Sequence, residues 1–117
     1  MLDWNTYRKQ LMGRIGEIAA LSPDAAHGFQ TLSDAAGKNG HLDAKTIELI
    51  SLAVAVTTRC DGCIAVHAQA ALKQGASRAE IADALSVAIA LNAGAAMVYS
   101  ARVLDAVAAS EATARAT

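Results

Sequence analysis

Helix start and stop signals recur along this chain, and no segment between them alternates apolar and polar residues as a half-buried strand does. Ser22-Pro23-Asp24 joins a helix end to a proline suited to the first turn of the next helix. Gly37-Lys38-Asn39-Gly40 is a turn cluster, and Asp43 beyond it is a suitable N-cap. Gly75 is a good C-terminal cap, and Ser77-Arg78-Ala79-Glu80 is a capping box, in which the Ser and Glu side chains satisfy backbone donors reciprocally. Alanine, the strongest helix former, supplies 29 of the 117 residues, and there is one proline. The expectation is an all-α, single-domain bundle of about six helices spanning residues 1–117.

The first helix is predicted from Leu2 to Leu21, where Tyr7, Leu11, Ile15 and Ile18 form an amphipathic stripe. A second runs from about Asp24 to Ala36, and a third from Asp43 to about Thr57. Ile47, Leu49, Ile50, Leu52, Val54 and Val56 surround the third helix, which should therefore be buried. The fourth opens at Cys60 to Cys63 and stops at Gly75, and the fifth continues to about Leu91. Asn92-Ala93-Gly94 predicts a break, after which Met97, Val98, Ala101, Leu104 and Ala108 mark a sixth helix. Residues from Ser110 onward should fray. Trp4, Met12 and Met97 are expected to pack, and His27 and His41 to lie on the surface.

A net charge of −1, with no basic stripe and no interleaved aromatics, argues against nucleic acid. Ala84 to Ala101 carries no charged residue and reaches the lower edge of membrane-spanning length. Asn92 and Gly94 interrupt it, and Ala, Ser and Gly dilute its hydrophobicity, so no membrane helix is expected. The first residues lack the basic start and apolar run of a secretory signal, which predicts a cytoplasmic protein. Only 18% of residues are charged, too few to cover a small domain, and burial against further copies predicts a homo-oligomer.

In a reducing compartment two cysteines point to catalysis, redox sensing or metal binding rather than to a permanent staple. Cys60-Asp61-Gly62-Cys63 is followed by His67, so Cys63 and His67 stand four residues apart on one helix face. The imidazole is a built-in base, and the positive end of the helix dipole also favours the thiolate. Asp61 between the thiols opposes that effect, with Arg59 available to compensate. Three other readings of the pair exist. A zinc site would need a fourth ligand from His27, His41 or an acid beside Cys60, Cys63 and His67. A thioredoxin-like site requires a preceding strand, which is lacking, and two cysteines can also simply pack in an alanine-rich core. Glu48 lies among apolar residues of the third helix, where an acid must be paired unless it reaches the surface or meets Arg59 or Lys45. In a hairpin of helices three and four, Glu48 and His67 stand about 18 and 10 Å from Cys60 along the axes. A direct contact across that offset needs a slanted crossing, and otherwise a bridging water.

Glu48, eleven intervening residues, Cys60-x-x-Cys63 and His67, together with the downstream segment Ala71 to Ile81, resemble the carboxymuconolactone decarboxylase and alkylhydroperoxidase D-like superfamily. The resemblance covers residues 25–108, with 1–21 as an added N-terminal helix. It implies an all-helical fold, assembly into trimers or hexamers, and a thiol-dependent reduction of hydroperoxides or disulfides without metal or cofactor. By position, Cys63 is the peroxide-attacking thiol, Cys60 the resolving thiol, His67 the acceptor of the Cys63 proton, and Glu48 the group that sets the charge of His67. An external dithiol, lipoyl-bearing or thioredoxin-like, is the implied reductant. Gly62 stands where family peroxidases often carry His, and Asn92 to Ala96 replaces a Gly run ending in Pro-Ala. A redox-sensing or assembly protein using the same pair as a switch is the alternative. The decarboxylase branch lacks the cysteine pair, so lactone chemistry is disfavoured.

Overall fold

The computed structural model describes residues 1–117 as five α-helices: α1 Trp4–Leu21, α2 Pro23–Asn39, α3 Ala44–Thr58, α4 Asp61–Lys73 and α5 Arg78–Ala116. The caps follow the sequence signals closely. Asp3 and Asp43 accept from the backbone N–H of Thr6 and Thr46 at 3.1 and 2.7 Å, and the Ser77–Glu80 capping box is complete. Gly40 and Gly75 take the left-handed conformation at the ends of α2 and α4, with φ of 74° and 82°.

Two expectations about length are corrected. Residues 92–94 do not break the chain: α5 is one helix of 39 residues, so there are five helices rather than six. Asn92 donates to the Ala88 carbonyl at 2.7 Å and to the Thr57 hydroxyl at 2.9 Å, which satisfies its amide inside the helix and ties it to α3. A mid-helix glycine costs only about 1 kcal/mol, and the alanines flanking Gly94 favour continuation. Likewise the segment from Ser110 is helical to Ala116, with Ser110 and Thr113 bonding carbonyls one turn back. Asn92 and Gly94 therefore do not interrupt the apolar span, and α5 is long and apolar enough to cross a membrane by length and composition.

Burial is sparse. Leu52, Ala55, Ala65, Ala71, Ala76 and Ala88 are the six buried residues, and Leu52, Ala71 and Ala76 form the core with Leu49, Ala68 and Ile81 against them. This small-residue core lies where α3, α4 and the start of α5 meet, and it sets the α3–α4 crossing that carries the site. The third helix is only half covered, since Ile50 and Val54 remain 48% and 54% exposed. Met97, expected to pack, is 77% exposed, as are most apolar residues of the second half of α5. A compact monomer of this mass exposes about 6,000 Å², whereas the chain exposes 8957 Å². Its radius of gyration is 20.3 Å, against about 13 Å for a compact chain of this length.

Acid should weaken this fold through three carboxyl groups. Asp3 is held below its ordinary 3.8 by the Thr6 backbone N–H, and Asp43 by hydrogen bonds from the Thr46 side chain and then its backbone. Glu80 is held below 4.5 by Lys45, 2.7 Å away, and by the Ser77 N–H. Because the unfolded carboxyls protonate first as pH falls, unfolding takes up protons. The stability these groups contribute is complete above 4.5 and is lost as pH drops through their lower folded values. Urea midpoints should fall on going from pH 6 to pH 3, less steeply in the Asp43→Asn and Glu80→Gln variants. Equal slopes in all three proteins would refute this assignment.

Candidate functional site

The link between α3 and α4 builds the site. Arg59 ends α3 in the left-handed conformation at φ 55°, and this places Cys60 as N-cap of α4, its backbone N–H bonded to the Ala55 carbonyl at 3.0 Å. The Cys60 sulfur accepts from the Cys63 backbone N–H at 3.1 Å, the place a Ser or Asp oxygen takes in an ordinary N-cap. The two cysteines are joined by a disulfide, with Cα atoms 5.2 Å apart. Both sulfurs therefore sit at the first turn of α4, where unsatisfied N–H groups favour negative charge on a reduced Cys63.

One turn further along α4, His67 Nδ1 lies 2.7 Å from Glu48 Oε2 on α3. The contact is direct, without a bridging water, as a slanted helix crossing permits. Where the two helices pack, Leu49 and Leu52 of α3 meet the small Ala68 and Ala71 of α4, a close approach that suits long side chains spanning the axial offset. A carboxylate can only accept, so Nδ1 carries the hydrogen, and in the neutral ring Nε2 keeps its lone pair. Glu48 is the more enclosed partner, its side chain 19% exposed against 34% for His67. The other candidate partners of Glu48 are not used: Lys45 pairs with Glu80, and Arg59 makes no ion pair.

Cys60, Cys63 and His67 line a groove of about 570 Å³ whose other wall is apolar. That wall consists of Tyr7, Leu11, Met12 and Ile15 from α1 and Phe29 from α2. From the sequence, Tyr7, Leu11 and Ile15 read as an amphipathic stripe and Met12 as packing, and none of them as part of a site. Their stripe at helical spacing was the only available signal, and it does not say what the stripe faces. Gly62 lies beneath α1, and a Cβ built there would stand 2.7 Å from Leu11 Cδ2. The space next to the second cysteine is thus taken by Leu11. His27 and His41 are exposed, and no group of three or more His, Cys, Asp or Glu side chains is arranged to hold a metal ion.

Fold and site together define an all-α protein with a cysteine pair capping one helix and a His–Glu pair beside it. Residues 23–106 match the carboxymuconolactone decarboxylase family, and the chain belongs to that family. It is 50% identical over 104 residues to an uncharacterized protein of Haemophilus influenzae, covering 89% of this chain and 92% of the relative. It superimposes with a TM-score of 0.72 and 35% identity on the crystal structure of an apo carboxymuconolactone decarboxylase family protein from Legionella pneumophila, covering 84% of this chain and 88% of that one. A Methanobacterium thermoautotrophicum protein of known structure gives a TM-score of 0.69 at 32% identity, over 76% of this chain and 97% of its own. The family includes enzymes, decarboxylases and alkylhydroperoxidases among them, and the cysteine pair is compatible with redox function.

Proposed function

We propose that this protein is a thiol-dependent peroxidase or disulfide reductase working through Cys60 and Cys63. The observation that carries this reading is the sharing of one groove by the cysteine pair and by His67, whose orientation Glu48 holds. In the reduced protein, His67 Nε2 takes the Cys63 proton. The Cys63 thiolate attacks a peroxide oxygen, the O–O bond breaks, and the leaving alkoxide receives the proton from His67 as an alcohol, leaving a sulfenic acid on Cys63. The Cys60 thiol then attacks that sulfur, the S–S bond forms, and water departs. An external dithiol, lipoyl-bearing or thioredoxin-like, restores both thiols by two exchanges and leaves as its own disulfide.

One equivalent of hydroperoxide should convert the two free thiols into an intramolecular disulfide, followed by mass spectrometry and thiol titration. Persistence of both thiols would refute the reading. A switch without efficient turnover is the second reading, favoured by Gly62, which offers no further proton carrier beside the thiols and has Leu11 over it. Fast thiol oxidation with slow steady-state peroxide consumption in the presence of dithiol would select it.

We also propose that the exposed face of α5 is covered by further copies in a trimer or hexamer, in the cytoplasm. The surface excess of about 3,000 Å² over a compact monomer is within the range that obligate interfaces bury. Light scattering should return three or six times 12.0 kDa, and a monodisperse monomer or dimer, or partition into vesicles, would exclude it.

A further inference from the structure

α1 lies outside the segment that matches the family, residues 23–106, yet it contributes four side chains to the groove over the cysteine pair. Met12 and Ile15 are 52% and 46% exposed, whereas Leu11 is half-buried, held between α1 and the start of α4. Its Cδ2 comes within 2.7 Å of the place a Cβ on residue 62 would occupy. With glycine at residue 62, Leu11 seats itself directly on the backbone between the two cysteines, and a Cβ there would push the end of its side chain aside. Trp4, one turn before Tyr7, lines a second groove with Ile64, Ala65, Ala68 and Leu72, so α1 runs along α4.

We propose that Leu11 is a specificity-determining residue that sets the size of molecule able to reach Cys63, with Gly62 as the seat that allows its close approach. Its bearing on substrate choice rests on Cys63 being the attacking thiol, but the steric restriction does not. A branched side chain over the first turn of α4 narrows the approach to the sulfur. A small oxidant passes, and one with a bulky group next to the reacting atom is slowed.

The test uses the full chain in a Cys60→Ser background, reduced, with two reagents of the same chemistry and different bulk, N-methylmaleimide and N-pyrenylmaleimide. In each reaction the Cys63 sulfur adds to an alkene carbon, and solvent supplies the proton to its neighbour. Leu11→Ala should raise the pyrenyl rate about tenfold relative to the methyl rate, and Leu11→Phe should lower that ratio by a similar factor. Trp4 fluorescence reports whether α1 stays docked, and Leu11→Phe tests the restriction even where Leu11→Ala loosens the helix. Equal changes with both reagents, or an unchanged ratio in Leu11→Phe, would overturn the proposal. Rates of thiol oxidation by cumene hydroperoxide and hydrogen peroxide are then compared in the same variants. A shifted maleimide ratio without any peroxide reaction would sink the enzymatic reading and leave the restriction standing. Peroxide reaction with an unshifted maleimide ratio would do the reverse.

Discussion

Cys63→Ser is expected to lower peroxide turnover by a factor of about 1,000 or more, to the background rate, because a hydroxyl at this position is neither ionised nor nucleophilic enough to open an O–O bond. Cys60→Ser should behave differently, since it leaves the attacking sulfur and removes only the one that resolves the intermediate. It should react once, accumulate a sulfenic acid on Cys63, and then stop. The structure makes this comparison a clean one. Cys60 is the N-cap of α4 and its sulfur accepts from the Cys63 N–H at 3.1 Å. Serine is among the best N-cap residues, so the replacement keeps the helix start while deleting the thiol. Single-turnover mass spectrometry with a sulfenic-acid trap reads both outcomes. Full turnover in either variant would exclude the two-cysteine mechanism.

His67→Asn is expected to slow Cys63 oxidation about 100- to 10,000-fold near neutral pH, the range for loss of a positioned general base. Asparagine retains a donor that Glu48 Oε2 can accept from, so the α3–α4 contact survives while the lone pair of Nε2 is lost. The deficit should narrow as alkali ionises the thiol directly, and stopped-flow oxidation rates from pH 6 to pH 10 test this. Glu48→Gln should cost less, about 10- to 100-fold, because it disturbs the tautomer and orientation of the ring without removing it. A parallel pH profile for His67→Asn and wild type would show that the imidazole moves no proton.

Much of the site was legible because its residues are close in sequence. Cys60 and Cys63 lie at a helix start and His67 follows at one-turn spacing, so a local rule places all three. From its own surroundings Glu48 was legible as an acid in need of a partner, and the family resemblance coupled it to His67. Which of His67, Lys45, Arg59 or water would meet it depended on how α3 crosses α4, a matter of packing between residues far apart in the chain such as Leu52 and Ala71. The groove wall was not legible at all. Tyr7, Leu11, Met12 and Ile15 stand some fifty residues from the cysteines, and an apolar stripe carries no record of what it will face.

The misjudged break at Asn92-Ala93-Gly94 shows the same division. Local propensity weighed an amide and a glycine against helix, whereas Thr57, 35 residues away, supplied a partner for the amide. Chain-local physics, meaning caps, turn glycines, alanine propensity and i, i+4 spacing, determined the helical class, most helix ends and the cysteine–imidazole neighbourhood. Tertiary packing alone decided the direct Glu48–His67 bond, the unbroken α5 and the seat of Leu11 on Gly62, because each joins elements that are distant in the chain and close in space.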